Sequence, residues 1–182
     1  MSMDTTRRSP SVSPLDRGAR IALMLRSASS GIALAAVLLG AGTARAASIR
    51  VPERIEFASG SSVRAAIQNE CGIQTMIPQA IARSASNVEL VPGKKRDLEL
   101  AITDAHGPGG GVFSGPKWVE VTGKLRRGSQ VVGSFRAKRV STSDVFAGGT
   151  CGILAKCARK VGADIGAWLQ NPTMDAKLGD AR

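Results

Sequence analysis

The sequence predicts an α+β fold, a two-layer sandwich in which a mostly antiparallel sheet of about four strands carries two helices on one face. Three observations indicate this class. Four segments alternate apolar and polar residues with a period of two, the pattern of strands that are covered on one side only. Two segments carry an apolar stripe with helical spacing. The order is strand, helix, three strands and helix, so the later strands mostly follow one another as hairpin neighbours.

The first predicted strand is IRVPERIEF, which follows Ser48. Pro52 lacks a backbone donor and Glu53 interrupts the apolar face, so we expect an edge strand here. The other three lie in DLELAITDAH, WVEVTGKLRR and SQVVGSFRAKRV, and Arg127-Gly128-Ser129 between the last two predicts a hairpin turn. Their apolar faces are formed by Leu98, Leu100 and Ile102, by Val119, Val121 and Leu125, and by Val131, Phe135 and Ala137.

The helical segments are CGIQTMIPQAIARSAS and GILAKCARKVGADIGAWL. In the first, Pro78 is acceptable only in the first turn, because proline has no N–H for a helical hydrogen bond. Asn171-Pro172 ends the second, and no periodic signal follows. We expect one α+β domain over residues 47–172 and a flexible tail over residues 173–182. The apolar stripes are Ile73, Ile77, Ala80, Ile81 and Ala85 in the first helix, and Ile153, Cys157, Val161, Ile165 and Trp168 in the second.

Residues 1–46 have the three parts of a secretory signal peptide. An arginine-rich region precedes an uncharged apolar run from Gly31 to Gly42, and Ala44-Arg45-Ala46 is a cleavage pattern with small residues at both required positions. The run is too short to span a bilayer, which takes about 20 residues. We expect cleavage near Ala46 and a soluble, periplasmic or secreted mature chain that does not span the membrane.

The mature chain is basic. Removing residues 1–46 leaves 136 of the 182 residues and lowers the net charge from +11 to +7, because the leader holds six Arg and two Asp. By strand phase, Glu56, Asp97, Glu99 and Glu120 share the outward surface with a larger set of cations. That surface is a candidate contact for an envelope protein or an anionic envelope surface. The outward cations are Arg50, Arg54, Lys124, Arg126, Arg136 and Lys138.

Nucleic acid is not an expected partner, because single-stranded nucleic acid needs several aromatic side chains for base stacking. The whole chain has no Tyr, four Phe and two Trp. Its basic character therefore favours envelope anions over nucleic acid.

The three cysteines predict one disulfide in an oxidising compartment. Cys71 precedes the first helix and Cys151 precedes the second, so helices that start from the same end of the sheet would bring them together. Cys157 lies on the apolar stripe and would remain a buried free thiol. A Cys151–Cys157 bond and a Cys71–Cys157 bond are the alternatives. A zinc site of the three cysteines with His106 lacks supporting spacing, and we predict no metal site.

Residues 106–117 read HGPGGGVFSGPK, with five glycines and two prolines. A phosphate-binding loop needs lysine directly after the last glycine and then Ser or Thr, whereas here Pro116 precedes Lys117 and Trp118 follows. We predict a structured connection between two strands and no cofactor site. Val112 and Phe113 are candidate partner contacts on this loop.

Asp104 and His106 are the only combination that suggests catalysis. They lie two residues apart on a predicted strand, and continuing the phase from Ile102 places both on the inward face. Such a pair could act as a general base and the residue that orients it. The sequence offers no nucleophile beside them, so a small hydrolase is an alternative and the chain is not predicted to be an enzyme.

Three stretches carry a resemblance to a known group: ECGIQTMIP, GGGVFSGPKWVEVTGKL and GTCGILAKCARKVGADIGAWLQNP. Here the chain resembles small secreted bacterial proteins that lack an assigned function. The pattern of strands and covering helices also looks like the compact α/β modules of cell-envelope lipoproteins. That resemblance implies a partner-binding or assembly role, although this chain has no cysteine near the cleavage site that could be lipidated.

The sequence therefore favours a soluble periplasmic binding or accessory module that contacts an envelope partner through the basic sheet face or the glycine-rich loop. The alternatives are the small hydrolase and a purely structural secreted domain. The identity of the partner and the oligomeric state are left open.

Overall fold

The computed structural model describes residues 48–93, 96–108, 115–141 and 149–182. The predicted signal peptide and the loop tip with Val112 and Phe113 lie outside these residues. The elements, in chain order, are β1 (Ile49–Pro52), β2 (Glu56–Phe57), α1 (Ala65–Glu70), α2 (Ile73–Ser84), β3 (Val88–Val91), β4 (Leu98–His106), β5 (Lys117–Arg127), β6 (Gln130–Ser141), α3 (Gly149–Trp168) and β7 (Ala176–Gly179).

The strands form a five-stranded sheet in the order β2-β4-β5-β6-β7 and a two-stranded sheet of β1 and β3. The central strands β4, β5 and β6 are antiparallel, whereas β2 runs parallel to β4 and β7 parallel to β6. The predicted α+β class is confirmed, but the sheet is mixed and has one strand more than expected. Gly128 has a positive φ of 61° in the turn between β5 and β6, a conformation that glycine adopts without a Cβ clash.

The core lies between the sheet and the helices. The inward side chains Val119 and Val121 of β5 are fully buried, as are Ile77 of α2 and Ile165 of α3. Every residue of the two predicted helical stripes is buried as well. An apolar stripe that is removed from water along its whole length is the main stabilisation of such a helix. None of the helices in the described part of the chain is both long and apolar enough to cross a bilayer.

Pro78 lies inside α2 beyond its first turn, the placement that is unfavourable for proline. A residue at this position would normally donate to the carbonyl of Gln74, four residues earlier, and proline cannot. The Gln74 carbonyl instead accepts a hydrogen bond of 3.1 Å from the backbone N–H of Ile55. The carbonyl left free by Pro78 thus joins α2 to the segment between β1 and β2.

The tail is also different from the prediction. Residues Ala176–Gly179 form β7, which pairs with β6 at the edge of the five-stranded sheet. Ala176 and Leu178 pack against the core, and Lys177 between them is exposed. Apolar contact on one side together with strand pairing explains why these residues are ordered and not a flexible tail.

Candidate functional site

The side of the five-stranded sheet that faces away from the core is called the outer sheet face. On β5 it is formed by the residues that alternate with the buried valines, namely Trp118, Glu120, Thr122 and Lys124. Register places Thr122 between Ala101 of β4 and Arg136 of β6. Arg136 in turn pairs with Lys177 of β7.

A cleft of about 640 Å³ opens on this face. Its walls carry cations from β5, β6, β7, the segment before β4 and the C-terminal residue, and its lining includes Ala101 and Thr122. The lining cations, called the cleft cations below, are Arg96, Lys124, Arg136, Lys177 and Arg182.

Two acids also line the cleft, and both are engaged by other groups. Glu99 accepts a hydrogen bond of 2.8 Å at Oε1 from Nε of Arg126. Asp175 accepts one of 2.9 Å at Oδ1 from the hydroxyl of Ser134, and its own backbone N–H donates back to that hydroxyl over 2.7 Å. Neither acid forms an ion pair with a cleft cation in the described residues. Five cations and two acids line the cleft, so its lining keeps a net positive charge.

Four cleft cations have no acidic partner among the described residues: Arg96, Lys124, Lys177 and Arg182. All four are exposed. Like charges that are gathered around one concave surface and not neutralised by neighbouring acids create a positive potential, which attracts anions. This arrangement is what a binding site for an anionic group requires.

Among the described residues, Arg136 is the one cleft cation that forms an ion pair, and its partner is Glu120. The Glu120 side chain is 7% exposed, and its Oε1 accepts a 2.7 Å hydrogen bond from Nε of Arg136. Lys138 lies 3.6 Å from Oε2 of the same carboxylate. Burial acts to raise the pKa of Glu120, but the hydrogen bond and charge of Arg136 and the charge of Lys138 outweigh it, and the net result is a lowered pKa.

The six predicted outward cations do not form one patch. Lys124 and Arg136 line the cleft, Arg126 pairs with Glu99, and Lys138 pairs with Glu120. Arg50 lies in the two-stranded sheet and forms a 2.7 Å ion pair with Asp97, while Arg54 lies between β1 and β2. Four of the six thus lie on β5 and β6 of the five-stranded sheet, whereas Arg50 and Arg54 lie outside that sheet.

Three cleft cations were missed by sequence reasoning: Arg96, Lys177 and Arg182. The alternation of Ala176, Lys177 and Leu178 is a period-two signal that could have indicated β7 and the outward position of Lys177. Arg96 precedes the first residue of β4 and Arg182 follows β7, so only the tertiary structure brings them to the cleft.

Asp104 and His106 face outward, so the predicted inward position is wrong. The register of β4 shifts between Ile102 and Asp104, and this bulge at Thr103 moves the following residues to the opposite face. Oδ2 of Asp104 accepts a 2.6 Å hydrogen bond from Nε1 of Trp118, and the His106 ring stacks on Trp118 at 4.1 Å between centroids. Both residues hold the tryptophan, and Asp104 does not orient His106.

The disulfide joins Cys71 to Cys151, with an S–S distance of 1.98 Å, and this prediction is confirmed. Cys157 is a buried free cysteine whose Sγ lies 3.9 Å from the carbonyl oxygen of Lys117. Burial raises the pKa of its thiol, which disfavours the reactive thiolate. Within residues 48–93, 96–108, 115–141 and 149–182, no group of three potential ligands could hold a metal ion.

Comparison with known proteins gives no family model and no curated protein that matches the chain. Among solved structures, the chain is similar to a PelC dodecamer from Paraburkholderia phytofirmans, with 15% identity and a TM-score of 0.39 over 64% of this chain and 83% of that one. It is also similar to protein XCC0632 from Xanthomonas campestris, of the family model DUF330, with 17% identity and a TM-score of 0.41 over 67% and 83% of the two chains. At such low values, the function of the cleft has to be inferred from its own residues.

Proposed function

We propose that the mature chain is a non-enzymatic binding or accessory module of the periplasm, and that the cleft on its outer sheet face holds an anionic partner of the cell envelope. The observation that carries this proposal is the set of five cleft cations, four of which have no acidic partner among the described residues. An exported protein with this surface meets anionic lipid head groups and envelope polymers first. Charge complementarity would speed the encounter and select against cationic partners.

Binding is favoured over catalysis by the geometry around His106. Its ring stacks on Trp118, and the carboxylate of Asp104 is occupied by the indole N–H of the same residue. A general base needs a group that orients its ring, and Asp104 does not serve His106 in this way because it accepts from Trp118. The contacts seen here instead serve to hold Trp118 in place.

The cleft can be tested by reversing two of its unpaired cations. In the Lys124→Glu, Lys177→Glu double variant, four charge units change at two exposed positions on neighbouring parts of the cleft. Lys and Arg near an anionic membrane contribute about 1 kcal/mol each, so we expect binding to phosphatidylglycerol vesicles to weaken at least about tenfold. Co-sedimentation with these vesicles, and pull-down from an envelope extract, measure the loss.

The matched control is the Arg64→Glu, Arg159→Glu double variant. It changes the net charge equally, at exposed residues outside the cleft, one before α1 and one on α3. Thermal unfolding of both variants checks that the fold is kept. If the control loses as much binding as the cleft variant, net charge and not the cleft is responsible. Binding that is unchanged in the cleft variant rejects the cleft as the contact surface.

Arg136 and Lys138 are unsuitable for this test, although both are cationic. Replacing them with Glu would place new carboxylates beside Glu120, which is nearly buried. Leaving a buried charge without a partner destabilises a fold strongly. A loss of binding in such variants would then report unfolding as well as lost contact.

A further inference from the structure

The cleft cations gather around one short row of residues. Ala101, Thr122, Arg136 and Lys177 are register partners on four adjacent strands, β4 to β7. Neighbouring strands lie about 4.8 Å apart, so Thr122, Arg136 and Lys177 span only about 10 Å. Lys124 follows Thr122 by two residues on the same face. The backbone positions of Thr122, Arg136 and Lys177 thus lie close together in the sheet.

Arg136 is held in a defined orientation at this point. Its Nε donates to the nearly buried Glu120, while neither terminal nitrogen of its guanidinium forms a hydrogen bond with a described residue. A guanidinium that is fixed at one edge keeps its other N–H donors available as a planar fork. Such a fork matches two oxygens of a phosphate or a carboxylate.

Thr122 adds a neutral donor beside the fork. It lies between the small side chain of Ala101 and Arg136, and its hydroxyl forms no hydrogen bond with a described residue. Guanidinium, hydroxyl and ammonium groups together offer more donors than the two oxygens of one carboxylate can accept. A terminal phosphate has three strong acceptor oxygens and a charge of about −1.5 to −2 at pH 7.

We infer that the cleft binds a compact terminal phosphate group, a phosphate monoester or a pyrophosphate, with Arg136 and Thr122 as its hydrogen-bond donors and the remaining cleft cations around it. This inference rests on the proposed function and specifies its ligand chemistry. The cleft volume of about 640 Å³ lies within the range of small-ligand sites, about 300–1,000 Å³. A phosphorylated head group or sugar therefore fits, whereas an extended polyanion would contact the cleft only with one unit.

The first experiment compares inorganic pyrophosphate with citrate, a carboxylate of similar charge, by isothermal titration calorimetry of the mature protein. We expect pyrophosphate to bind at least about tenfold more tightly, because its terminal phosphate carries three acceptor oxygens on one atom, whereas each carboxylate of citrate carries two. Equal affinities for the two anions would overturn the inference.

The second experiment removes the hydroxyl without changing charge. The Thr122→Val variant keeps the shape of the side chain, and a lost hydrogen bond to a charged group should weaken pyrophosphate binding about tenfold. Thr122→Ser retains the hydroxyl and should restore most of the affinity. An unchanged affinity in Thr122→Val would show that the cleft acts by charge alone, which overturns the inference and leaves the proposed function intact.

Vesicles separate the two sources of the phosphate. Phosphatidic acid presents a terminal phosphate, whereas phosphatidylglycerol presents a diester with a single charge. If the protein binds phosphatidic acid vesicles more tightly than phosphatidylglycerol vesicles, and Thr122→Val removes this difference, the phosphate belongs to a lipid head group. If the protein binds pyrophosphate but binds both kinds of vesicle equally, the phosphate belongs to a soluble ligand. If the wild-type protein binds neither pyrophosphate nor any anionic vesicle, both the inference and the proposed function are wrong.

Discussion

Glu120 organises the charges of the outer sheet face. Its carboxylate is nearly buried yet ionised, because it lies between Arg136 and Lys138 and also accepts a 3.4 Å hydrogen bond from the hydroxyl of Thr103. Burial of a charge is unfavourable unless partners compensate it, and here two cations do so. The same contacts fix the guanidinium of Arg136 at the rim of the cleft. Glu120, which does not line the cleft, therefore determines the orientation of Arg136, which does.

Replacing Glu120 with Gln should destabilise the protein and change its response to acid. The variant loses two charge contacts with partly exposed cations, so we expect a decrease of roughly 1–2 kcal/mol in the free energy of unfolding at pH 7. Urea unfolding measures it. Glu53→Gln is the control, since Glu53 is exposed and forms no ion pair with a described residue. Equal destabilisation in both variants would contradict a special role for Glu120.

The direction of the pH effect follows from the lowered pKa of Glu120. A group whose pKa is lower in the folded state stabilises the fold above its unfolded value, here 4.5, and that contribution is lost as the pH falls through the folded pKa. The pKa of Asp97 is lowered too, mainly by its hydrogen bond to Arg50. Wild-type stability should therefore fall as the pH drops below about 4.5, and Glu120→Gln should lose less. Parallel pH profiles of the two proteins would contradict this assignment.

Sequence reasoning identified the outward position of Glu120 but not its burial. Strand phase fixes the face on which a side chain lies, because consecutive residues alternate. Whether that side chain is then covered depends on long cationic side chains of the next strand, which the phase does not reveal. For Asp104 and His106 the strand phase predicted the wrong face, because the extra residue Thr103 in β4 moves the residues that follow it to the opposite side of the sheet. A bulge has no reliable sequence signal in a segment without glycine.

At the level of elements, α2 and α3 approach each other closely through glycines. A Cβ on Gly162 would lie 2.4 Å from Cβ of Ala80 and 2.8 Å from the carbonyl oxygen of Ile77. A Cβ on Gly166 would lie 2.7 Å from Cβ of Ser84. These two glycines, four residues apart, set the distance between the helices. The apolar stripes predicted the helices and their inward sides correctly, but the stripe alone did not indicate this contact.

Gly162→Ala should destabilise the protein although alanine is the better helix former. The new methyl group overlaps backbone atoms of α2, and overpacking of this kind costs about 1–3 kcal/mol. Ala163→Gly is the control at the adjacent exposed position, where only helix propensity changes and the loss should be about 1 kcal/mol. Thermal and urea unfolding of both variants compare the two effects. Stabilisation of Gly162→Ala would contradict the close contact between the helices.

The strands β3 and β7 escaped prediction because they are short. Each has four residues, too few for a reliable alternation, whereas the two residues of β2 lie within the first predicted strand. These strands are stabilised by pairing with strands that are distant in sequence; β7, for example, pairs with β6, which lies about forty residues earlier. The long strands β4, β5 and β6 and the helix α3 were predicted well because each repeats its pattern several times. The cleft includes Lys177 of β7, so the sequence did not predict the cleft because it did not predict this short strand.

For the whole molecule, the disulfide is the longest covalent constraint. It joins the start of α2 to the start of α3 and spans 80 residues, including β3, β4, β5 and β6. The prediction succeeded because the two helices pack side by side and begin at the same end of the sheet. A bond between an element near the beginning of the domain and the last helix restricts the unfolded chain strongly.

Reducing this bond should lower the free energy of unfolding by about 4 kcal/mol in the chain-entropy estimate for a loop of this length. Urea unfolding with and without a reductant measures the difference in the wild-type protein. The Cys71→Ala, Cys151→Ala double variant should be as unstable as the reduced wild type and insensitive to reductant. Cys157→Ala should remain sensitive, because Cys157 takes no part in the bond. Sensitivity that persists in the double variant, or peptide mapping that places Cys157 in a disulfide, would contradict the pairing of Cys71 with Cys151.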